Sequence, residues 1–249
     1  MAGIRRTSII LQDRDLRLLE ALETLRAIDR EQTKIVGGFR STTRANARLL
    51  ALTRAGFLRR VFLGNRQAVY WLASTSRQQA SNAELMRREP TSLFLRHRLE
   101  INRVHLLVKY QTIPAAGWWF VRWESFTRNL SPALPLIPDG YFEVRSAAGV
   151  RACFLEVDLG TEAMPVIQRK VQLYLQLAAS GEFSTLFHQQ QFRVLIVASS
   201  ARRLANLRQT IAGLTDKIFW LTTLESINQG RFWSAVWLRP TGDQMLPLL

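Results

Sequence analysis

Hydrophobic residues recur at helical spacing near the start of the chain. Leu16, Leu19, Leu22 and Leu25 are each separated by three positions, and polar residues fill most of the gaps between them. Such a stripe is typical of an amphipathic helix that buries one face. The pattern therefore predicts a first helix that begins near Asp13.

Two further short helices are predicted after the first. The second covers residues 30–36 and ends at the glycine pair 37–38, because glycine readily takes the left-handed conformation that closes helices. The third begins after Ser41, a favourable N-cap, and ends near Gly56. Its buried stripe is predicted to consist of Ala45, Leu49 and Leu52.

The hydrophobic period changes to two after the third helix. This change predicts a strand over residues 57–63, a turn at Gly64 and Asn65, and a return strand over residues 67–72. Three short helices followed by a basic hairpin are typical of a winged helix-turn-helix. In that module the third helix enters the DNA major groove while the hairpin contacts the backbone or the adjacent minor groove. Residues 1–73 are therefore predicted to be a DNA-binding domain.

The distribution of charge supports a polyanionic partner. The formal net charge is +15, and no acidic residue occurs between Glu31 and Glu84. Double-stranded DNA is the expected partner, and an anionic membrane surface is not expected because the chain lacks an amphipathic segment suited to membrane anchoring. An alternative is that these arginines only form a solvated face. The predicted DNA contacts are Arg40, Thr43, Arg44, Arg48, Arg59, Arg60 and Arg66.

The rest of the chain is predicted to form a linker and a second domain. Small polar residues predict a linker over 74–90, and residues 91–249 alternate between helical and extended patterns. This alternation is typical of the α/β (α+β) class. Helices are predicted over 91–110, 165–179 and 200–211, and strands over 118–123, 136–144, 151–158, 192–198, 217–221 and 232–238.

Several protein classes are excluded by what the sequence lacks. The longest apolar runs, such as residues 194–198, are far shorter than the roughly 20 residues of a membrane-spanning helix. Cys153 is the single cysteine, so an internal disulfide and a Cys/His zinc site are not expected. No phosphate-binding loop, dinucleotide-binding turn or signal peptide is recognisable. We therefore expect a cytoplasmic protein without a nucleotide cofactor.

Three acidic residues are candidates for a metal site. Glu156 and Asp158 are two residues apart on one predicted strand, so their side chains project from the same face. Asp139 lies on the preceding strand, where a two-residue hairpin loop would place it opposite Glu156 and a four-residue loop opposite Asp158. Three converging carboxylates repel one another unless a cation lies between them. Mg²⁺ or Mn²⁺ is the expected cofactor if the domain is catalytic.

Basic and hydroxyl side chains follow these acids. Lys170 and Tyr174 share one face of the next predicted helix, and Lys170 is a candidate for polarising a phosphate or its attacking water. Upstream, Glu100 is a weaker candidate ligand and His97 a weaker candidate proton carrier. Each of these residues also has an ordinary structural interpretation as part of a surface or a helix.

The order of these motifs resembles the replication-relaxation family. After the predicted winged helix, the resemblance rests on RHRLEINRV at 96–104, PDGYFEV at 138–144, FLEVDLGTE at 154–162 and QRKVQLY at 168–174. It covers most of the chain from about residue 12 to 210. That family includes plasmid mobilisation proteins, some of them relaxases with a domain related to restriction endonucleases. The resemblance therefore implies a restriction-endonuclease-like domain with a central mixed sheet flanked by helices.

The resemblance also implies roles for individual residues. In the wider PD-(D/E)xK nuclease pattern, Asp139 matches the first acid and Glu156 the second, while Lys170 with Tyr174 matches a helix position to which some families have moved the basic residue. The chain departs from the general pattern because Asp158 stands where a lysine is expected.

Two functional hypotheses follow. The first is a site-directed DNA-binding protein of relaxosome type that nicks DNA by metal-dependent phosphodiester cleavage, with Asp139, Glu156 and Asp158 as metal ligands and Lys170 as the fourth catalytic residue. The second is a non-catalytic DNA-binding regulator or accessory factor whose nuclease-like domain mediates dimerisation or partner binding. Other DNA-processing proteins are candidate partners in either case.

Overall fold

The computed structural model describes residues 9–73 and 90–249, apart from the side chain of Asn65. The chain forms two compact units, Met1–Leu106 and Leu107–Leu249. The predicted linker over 74–90 lies outside the described residues except for Pro90. The elements of the first unit before this gap are α1 (Asp13–Leu25), β1 (Ile28–Asp29), α2 (Arg30–Gly37), α3 (Thr42–Arg54), β2 (Leu58–Leu63), a 3₁₀ turn (Gly64–Arg66) and β3 (Gln67–Leu72).

The predicted helix boundaries in this unit are confirmed by their capping interactions. Gly38 ends α2 in the left-handed conformation, with φ of 64°. Ser41 caps α3, and its hydroxyl oxygen accepts a hydrogen bond from the Arg44 N–H at 3.5 Å. The sequence did not predict β1, because a two-residue strand is too short to show a hydrophobic period. Its last residue, Asp29, caps α2 by accepting from the Gln32 N–H at 2.8 Å.

The buried face of α1 differs from the predicted one. Leu18, Leu22 and Leu25 are buried, but Leu16 is 53% exposed, so the stripe that included Leu16 was wrong in part. The buried face of α1 instead includes Asp15, which is completely buried and pairs with Arg48 of α3.

A three-stranded antiparallel sheet, in the order β1-β3-β2, organises the first unit. Leu58, Tyr70 and Leu72 pack with the leucines of α1 and α3 on one face. Leu63 and Val69 pack on the other face with Leu95 and Leu99 of α4 (Ser92–Tyr110). Because side chains alternate along a strand, β2 and β3 each contribute to both cores.

The division between the two units falls inside α4. The side-chain amide of Asn102 donates to the carbonyl oxygens of Leu25 and Ala27 at 3.2 and 2.6 Å, and that of Gln32 donates to the Leu99 carbonyl at 2.7 Å. These buried hydrogen bonds and the leucine contacts hold most of α4 in the first unit, whereas the sequence assigned the whole helix to the second domain.

The second unit contains alternating strands and helices after α4. They are β4 (Trp119–Glu124), β5 (Gly140–Ser146), β6 (Gly149–Asp158), α5 (Met164–Ser180), α6 (Glu182–Phe187), β7 (Phe192–Ala198), α7 (Ala201–Ala212), β8 (Phe219–Thr223) and α8 (Leu224–Asn228).

A five-stranded mixed sheet forms the centre of the second unit. Its order is β4-β5-β6-β7-β8, with antiparallel pairing from β4 to β6 and parallel pairing from β6 to β8. One face packs against α5, α6 and α7 through a core that includes Phe154, Tyr174 and Val194. The predicted α/β class with a central mixed sheet is therefore confirmed.

The hairpin between β5 and β6 has the shorter of the two predicted loops. Ser146 pairs with Gly149 and Gly140 pairs with Leu155, so the loop has two residues, and Asp139 and Glu156 come one residue beyond the last pair of this register. β5 begins at Gly140 and not at 136 as predicted, so Pro138 and Asp139 lie in the loop that leads into the strand.

The end of the second unit differs from the prediction. Residues 232–238 do not form the predicted closing strand; they contribute only isolated bridges between Leu221 and Leu238 and between Trp237 and Leu246. Phe232 and Trp237 are nonetheless fully buried, so their apolar character reflects packing and not strand formation. The helices α6 and α8 were not predicted, because they are only six and five residues long. Within the described parts of the chain, no helix has the length and apolar character needed to span a membrane.

Candidate nucleic-acid interface and carboxylate site

Asp139, Glu156 and Lys170 meet at one end of the five-stranded sheet. Lys170, from α5, donates to the Glu156 carboxylate with 2.7 Å between Nζ and Oε2. Asp139 accepts a hydrogen bond from the Val157 N–H at 2.8 Å, which fixes its carboxylate beside β6. All three side chains line one pocket, together with Tyr174.

Tyr174 completes the surroundings of Glu156. Its hydroxyl donates to Glu156 Oε1 at 2.5 Å, so both carboxylate oxygens have a donor. Burial raises the pKa of Glu156 to about 7, because the loss of hydration outweighs the attraction of Lys170, and the nearby Asp139 adds to the rise. Burial by itself would lower the pKa of Lys170, but the charges of Glu156 and Asp139 raise it above the ordinary value. The group therefore combines a strongly cationic amine with a carboxyl that exchanges its proton near neutral pH.

Asp158 lines the same pocket, but its carboxylate pairs with a different cation. Its two carboxylate oxygens accept from Arg203 of α7 at 3.0 and 2.8 Å, and Oδ1 also accepts from the Gly160 N–H. Arg203 in turn donates to the Glu162 carbonyl at 2.7 Å. Asp158 thus stabilises the loop after β6 and the start of α7.

The predicted site of three metal-binding carboxylates is not formed. Within residues 9–73 and 90–249, no group of three or more His, Cys, Asp or Glu side chains is arranged to hold a metal ion. The physical reason is that Arg203 already neutralises Asp158. Asp139 and Glu156 both line the pocket, and proteins bind Mg²⁺ through as few as one or two carboxylates when water and phosphate oxygens supply the other ligands.

Sequence reasoning missed Arg203. The signal was present, because Ser200 caps α7 and places Arg203 in its first turn, and β7 pairs in parallel with β6 so that Ala198 lies beside Asp158. Neighbouring parallel strands bring their carboxyl ends to the same edge, and the helix that follows β7 begins there.

His97 and Glu100 lie on α4 in the part that belongs to the first unit. Glu100 pairs with Arg103 one turn later, with 2.9 Å between the charged atoms, and His97 is half-buried. Neither residue lines the pocket around Glu156, so the structure gives no support for a ligand or proton-carrier role.

The first unit exposes arginines on α3 and on the β2–β3 hairpin. Arg40, Thr43 and Arg44 are exposed around the N-terminus of α3, and Arg60 and Arg66 are exposed on the hairpin. Arg59 is also exposed, but it lies on the opposite face of β2 from Arg60, on the side of Val61 and α4. Among the ion pairs of the described residues, none involves any of these arginines.

Arg48 differs from the other predicted DNA contacts. Its guanidinium forms two hydrogen bonds with the Asp15 carboxylate, one of them at 2.7 Å, and a third with the Ile10 carbonyl at 2.8 Å. Burial alone would raise the pKa of Asp15, but the hydrogen bonds from Arg48 and the Gln12 N–H lower it. Arg48 therefore joins α3 to α1 through an ion pair that leaves its side chain only 18% exposed, so it is not among the exposed arginines of the first unit.

Comparison with known proteins agrees with the resemblance of the motifs. A family model described as Replication-relaxation matches residues 12–187. The chain belongs to the replication-relaxation family. This membership fits a protein of DNA processing.

The replication-relaxation protein also has a similar chain among solved structures. Among solved structures, the restriction endonuclease FokI is similar at a TM-score of 0.35 and 12% sequence identity. The match covers 90% of this chain and 45% of the FokI chain, so the protein spans less than half of that enzyme. No curated protein matches the chain.

Proposed function

We propose that the protein is a site-directed, double-stranded DNA-binding protein of replication-relaxation type, and that its first unit is a winged helix-turn-helix. The observation that carries the proposal is the set of exposed arginines on α3 and the hairpin that have no acidic partner among the described residues. Unpaired cations on one module repel one another unless an external anion compensates them.

The element order supports the same proposal. In a winged helix the N-terminal residues of the third helix contact base edges, and the hairpin contacts the backbone. The exposed side chains of Thr43, Arg44 and Asn46 occupy the first half of α3. Arg60 and Arg66 occupy the hairpin, where guanidinium groups suit phosphate oxygens.

DNA binding is tested by fluorescence anisotropy with labelled duplexes. Arg44→Ala and Arg66→Ala are each expected to weaken binding about tenfold at low salt, because each loses a contact to phosphate or base. Arg128→Ala, at an exposed arginine of the second unit, is the matched control and is expected to bind like the wild type. Unchanged affinity in both Arg44→Ala and Arg66→Ala would refute the proposal.

A second candidate function is metal-dependent nicking of the bound DNA. It is favoured by the convergence of Asp139, Glu156 and Lys170 beside one pocket. A bound Mg²⁺ or Mn²⁺ would stabilise the attacking and leaving oxygens of phosphodiester cleavage. Asp139 and Glu156 would hold the ion, and Lys170 would offset the negative charge of the phosphate. Asp158 would position the loop after β6 through Arg203.

Nicking is tested by incubating the full chain with supercoiled plasmid and Mg²⁺ or Mn²⁺. Open circles are expected with the wild type and with the exposed control Asp216→Asn, but not with Asp139→Asn or Glu156→Gln. Equal amounts of open circles with all four proteins would exclude catalysis at this site. The non-catalytic regulator would then be the better description, and dimerisation or binding of other DNA-processing proteins would be the role to test for the second unit.

A further inference from the structure

Phe62 is an exposed aromatic residue near the tip of the β2–β3 hairpin. It is the penultimate residue of β2 and is 57% exposed, whereas the next residue, Leu63, is buried. Its partner across the hairpin is Ala68, whose methyl group is too small to cover a phenyl ring. An apolar ring in this position contributes little to either core of the first unit.

A cation lies against this ring. The guanidinium carbon of Arg60 is 4.9 Å from the centroid of the Phe62 ring, and both side chains project from the same face of β2. Arg60 is itself exposed, and no ion pair of the described residues includes it. The hairpin therefore presents an aromatic ring and an arginine together, a combination that stacks on bases and attracts phosphates.

Phe62 borders a groove between the hairpin and the exposed side of α3. The groove is lined by aromatic, amide and arginine side chains, among them Tyr70, Asn46, Gln67 and Arg66. Rings can stack on a base, amides can pair with its edge, and arginine can contact its phosphate. This chemistry fits a nucleotide better than it fits an apolar peptide.

The acidic side chains of the groove are held by hydrogen bonds and ion pairs within the first unit. Asp29 accepts from the Gln32 N–H at 2.8 Å and from the Gln67 side-chain amide at 2.9 Å. Glu31 pairs with Arg30 and Lys34, each at 2.9 Å. With Arg30, Arg60 and Arg66 against Asp29 and Glu31, the side chains of the groove keep a net positive charge that attracts a polyanion.

We infer that Phe62 stacks on a base that has left the DNA double helix, so that the protein prefers duplexes with unpaired bases next to its binding site. The inference rests on the proposed DNA-binding function and adds the kind of DNA that the hairpin selects. Apolar side chains inserted between base steps separate them, and an unpaired base is the cheapest one to capture. Stacking requires no particular base, so the preference is expected to depend on DNA structure and not on sequence.

The test measures binding of the full chain to two DNAs of equal length and composition. One is a fully paired duplex, and the other contains a short internal bubble with 2-aminopurine at an unpaired position. The wild type is expected to bind the bubble about tenfold more tightly than the duplex and to change the 2-aminopurine fluorescence. Phe62→Ala is expected to lose both effects, whereas Phe62→Trp, which keeps a stacking ring, is expected to retain them.

Leu16→Ala is the matched control, because Leu16 is a similarly exposed apolar residue of the same unit, on α1. It is expected to behave like the wild type. Equal binding of the wild type to both DNAs, or a Phe62→Ala protein that keeps the bubble preference, would overturn the inference. Failure of the proposed function is recognised separately, because Arg44→Ala and Arg66→Ala would then bind both DNAs as the wild type does.

Discussion

Glu156 and Asp158 leave the same strand face but are neutralised by different helices. Lys170 of α5 and Tyr174 contact Glu156, whereas Arg203 of α7 binds Asp158 in a two-pronged ion pair. Buried carboxylates are tolerated only when cations or hydrogen-bond donors compensate them. The choice of partner decides that Glu156 belongs to the candidate site and that Asp158 supports the adjoining loop.

The pH dependence of stability should reveal the burial of Glu156. Its pKa in the folded protein, about 7, is above the ordinary value of 4.5, so ionisation is more costly in the folded than in the unfolded state. The corresponding stability is fully present below pH 4.5 and is lost as the pH rises through 7. Across this window, the wild type should lose up to about 3 kcal/mol of unfolding free energy relative to Glu156→Gln, as measured by urea denaturation. Parallel pH profiles for the two proteins would contradict this.

Arg48 should contribute to the stability of the fold and not to the exposed positive charge. Arg48→Ala leaves the Asp15 carboxylate buried without its cation, so it should lower the free energy of unfolding by about 3 kcal/mol. The double variant Asp15→Asn/Arg48→Ala, which removes both charges, should recover part of this loss. Arg44→Ala, on the same helix but exposed, should cost less than about 0.5 kcal/mol. Chemical denaturation measures all three, and equal losses in the two single variants would speak against the buried pair.

The start of β5 shows how packing between elements fixes a boundary. A side chain at Gly140 would place its Cβ atom 2.5 Å from Cζ2 of Trp123, whose ring stacks on Phe142 at 6.0 Å between centroids. A glycine here lets β4 and β5 pair closely. Asp139 directly precedes this glycine, and its carboxylate is held beside β6 by the Val157 N–H.

Gly140→Ala should therefore destabilise the second unit. We expect a loss of about 2 kcal/mol in unfolding free energy, since the rigid tryptophan ring must move to admit the methyl group. Gly213→Ala is the control, because a Cβ atom at that position meets its nearest neighbour at an ordinary 3.5 Å. Thermal or urea denaturation should separate the two variants, and a Gly140→Ala protein as stable as Gly213→Ala would show that the contact is easily relieved.

Elements could be predicted where the hydrophobic pattern was long or a cap was present. Ser41 predicted the start of α3 and Gly38 the end of α2, and the strand β7, which is apolar except for Arg193, was predicted at its observed bounds, Phe192–Ala198. The strand predicted over 232–238 was wrong, because Phe232 and Trp237 are buried by packing and the segment forms only isolated bridges. The division of the units inside α4 was likewise invisible, because it depends on hydrogen bonds from Gln32 and Asn102 between residues far apart in sequence.

For the molecule as a whole, the net charge of +15 favours a polyanionic partner. The structure divides the arginines of the first unit into those that stay exposed, such as Arg44 and Arg66, and Arg48, which is paired internally. Only exposed arginines can release condensed counterions from DNA, so the two groups should respond differently to salt.

Binding measured over a range of salt concentrations should show this division. The logarithm of the wild-type affinity should fall linearly and steeply with the logarithm of salt concentration. Arg44→Ala should reduce the slope by about one unit for a lost phosphate contact, whereas the Asp15→Asn/Arg48→Ala protein should keep the wild-type slope. A salt-independent affinity of the wild type would contradict the electrostatic basis of binding.

The sequence by itself determined the order of the main elements, the basic character of the first unit and the membership of the replication-relaxation family. These features depend on local periodicity, capping residues, composition and motif order, which are all properties of short segments. Only the tertiary structure decided that Arg48 forms an ion pair with Asp15 and that Asp158 forms one with Arg203. It also decided that Phe62 is left exposed beside Arg60. A pattern shows which face of its own element a side chain occupies, but the partner that it meets comes from a distant segment brought close by folding.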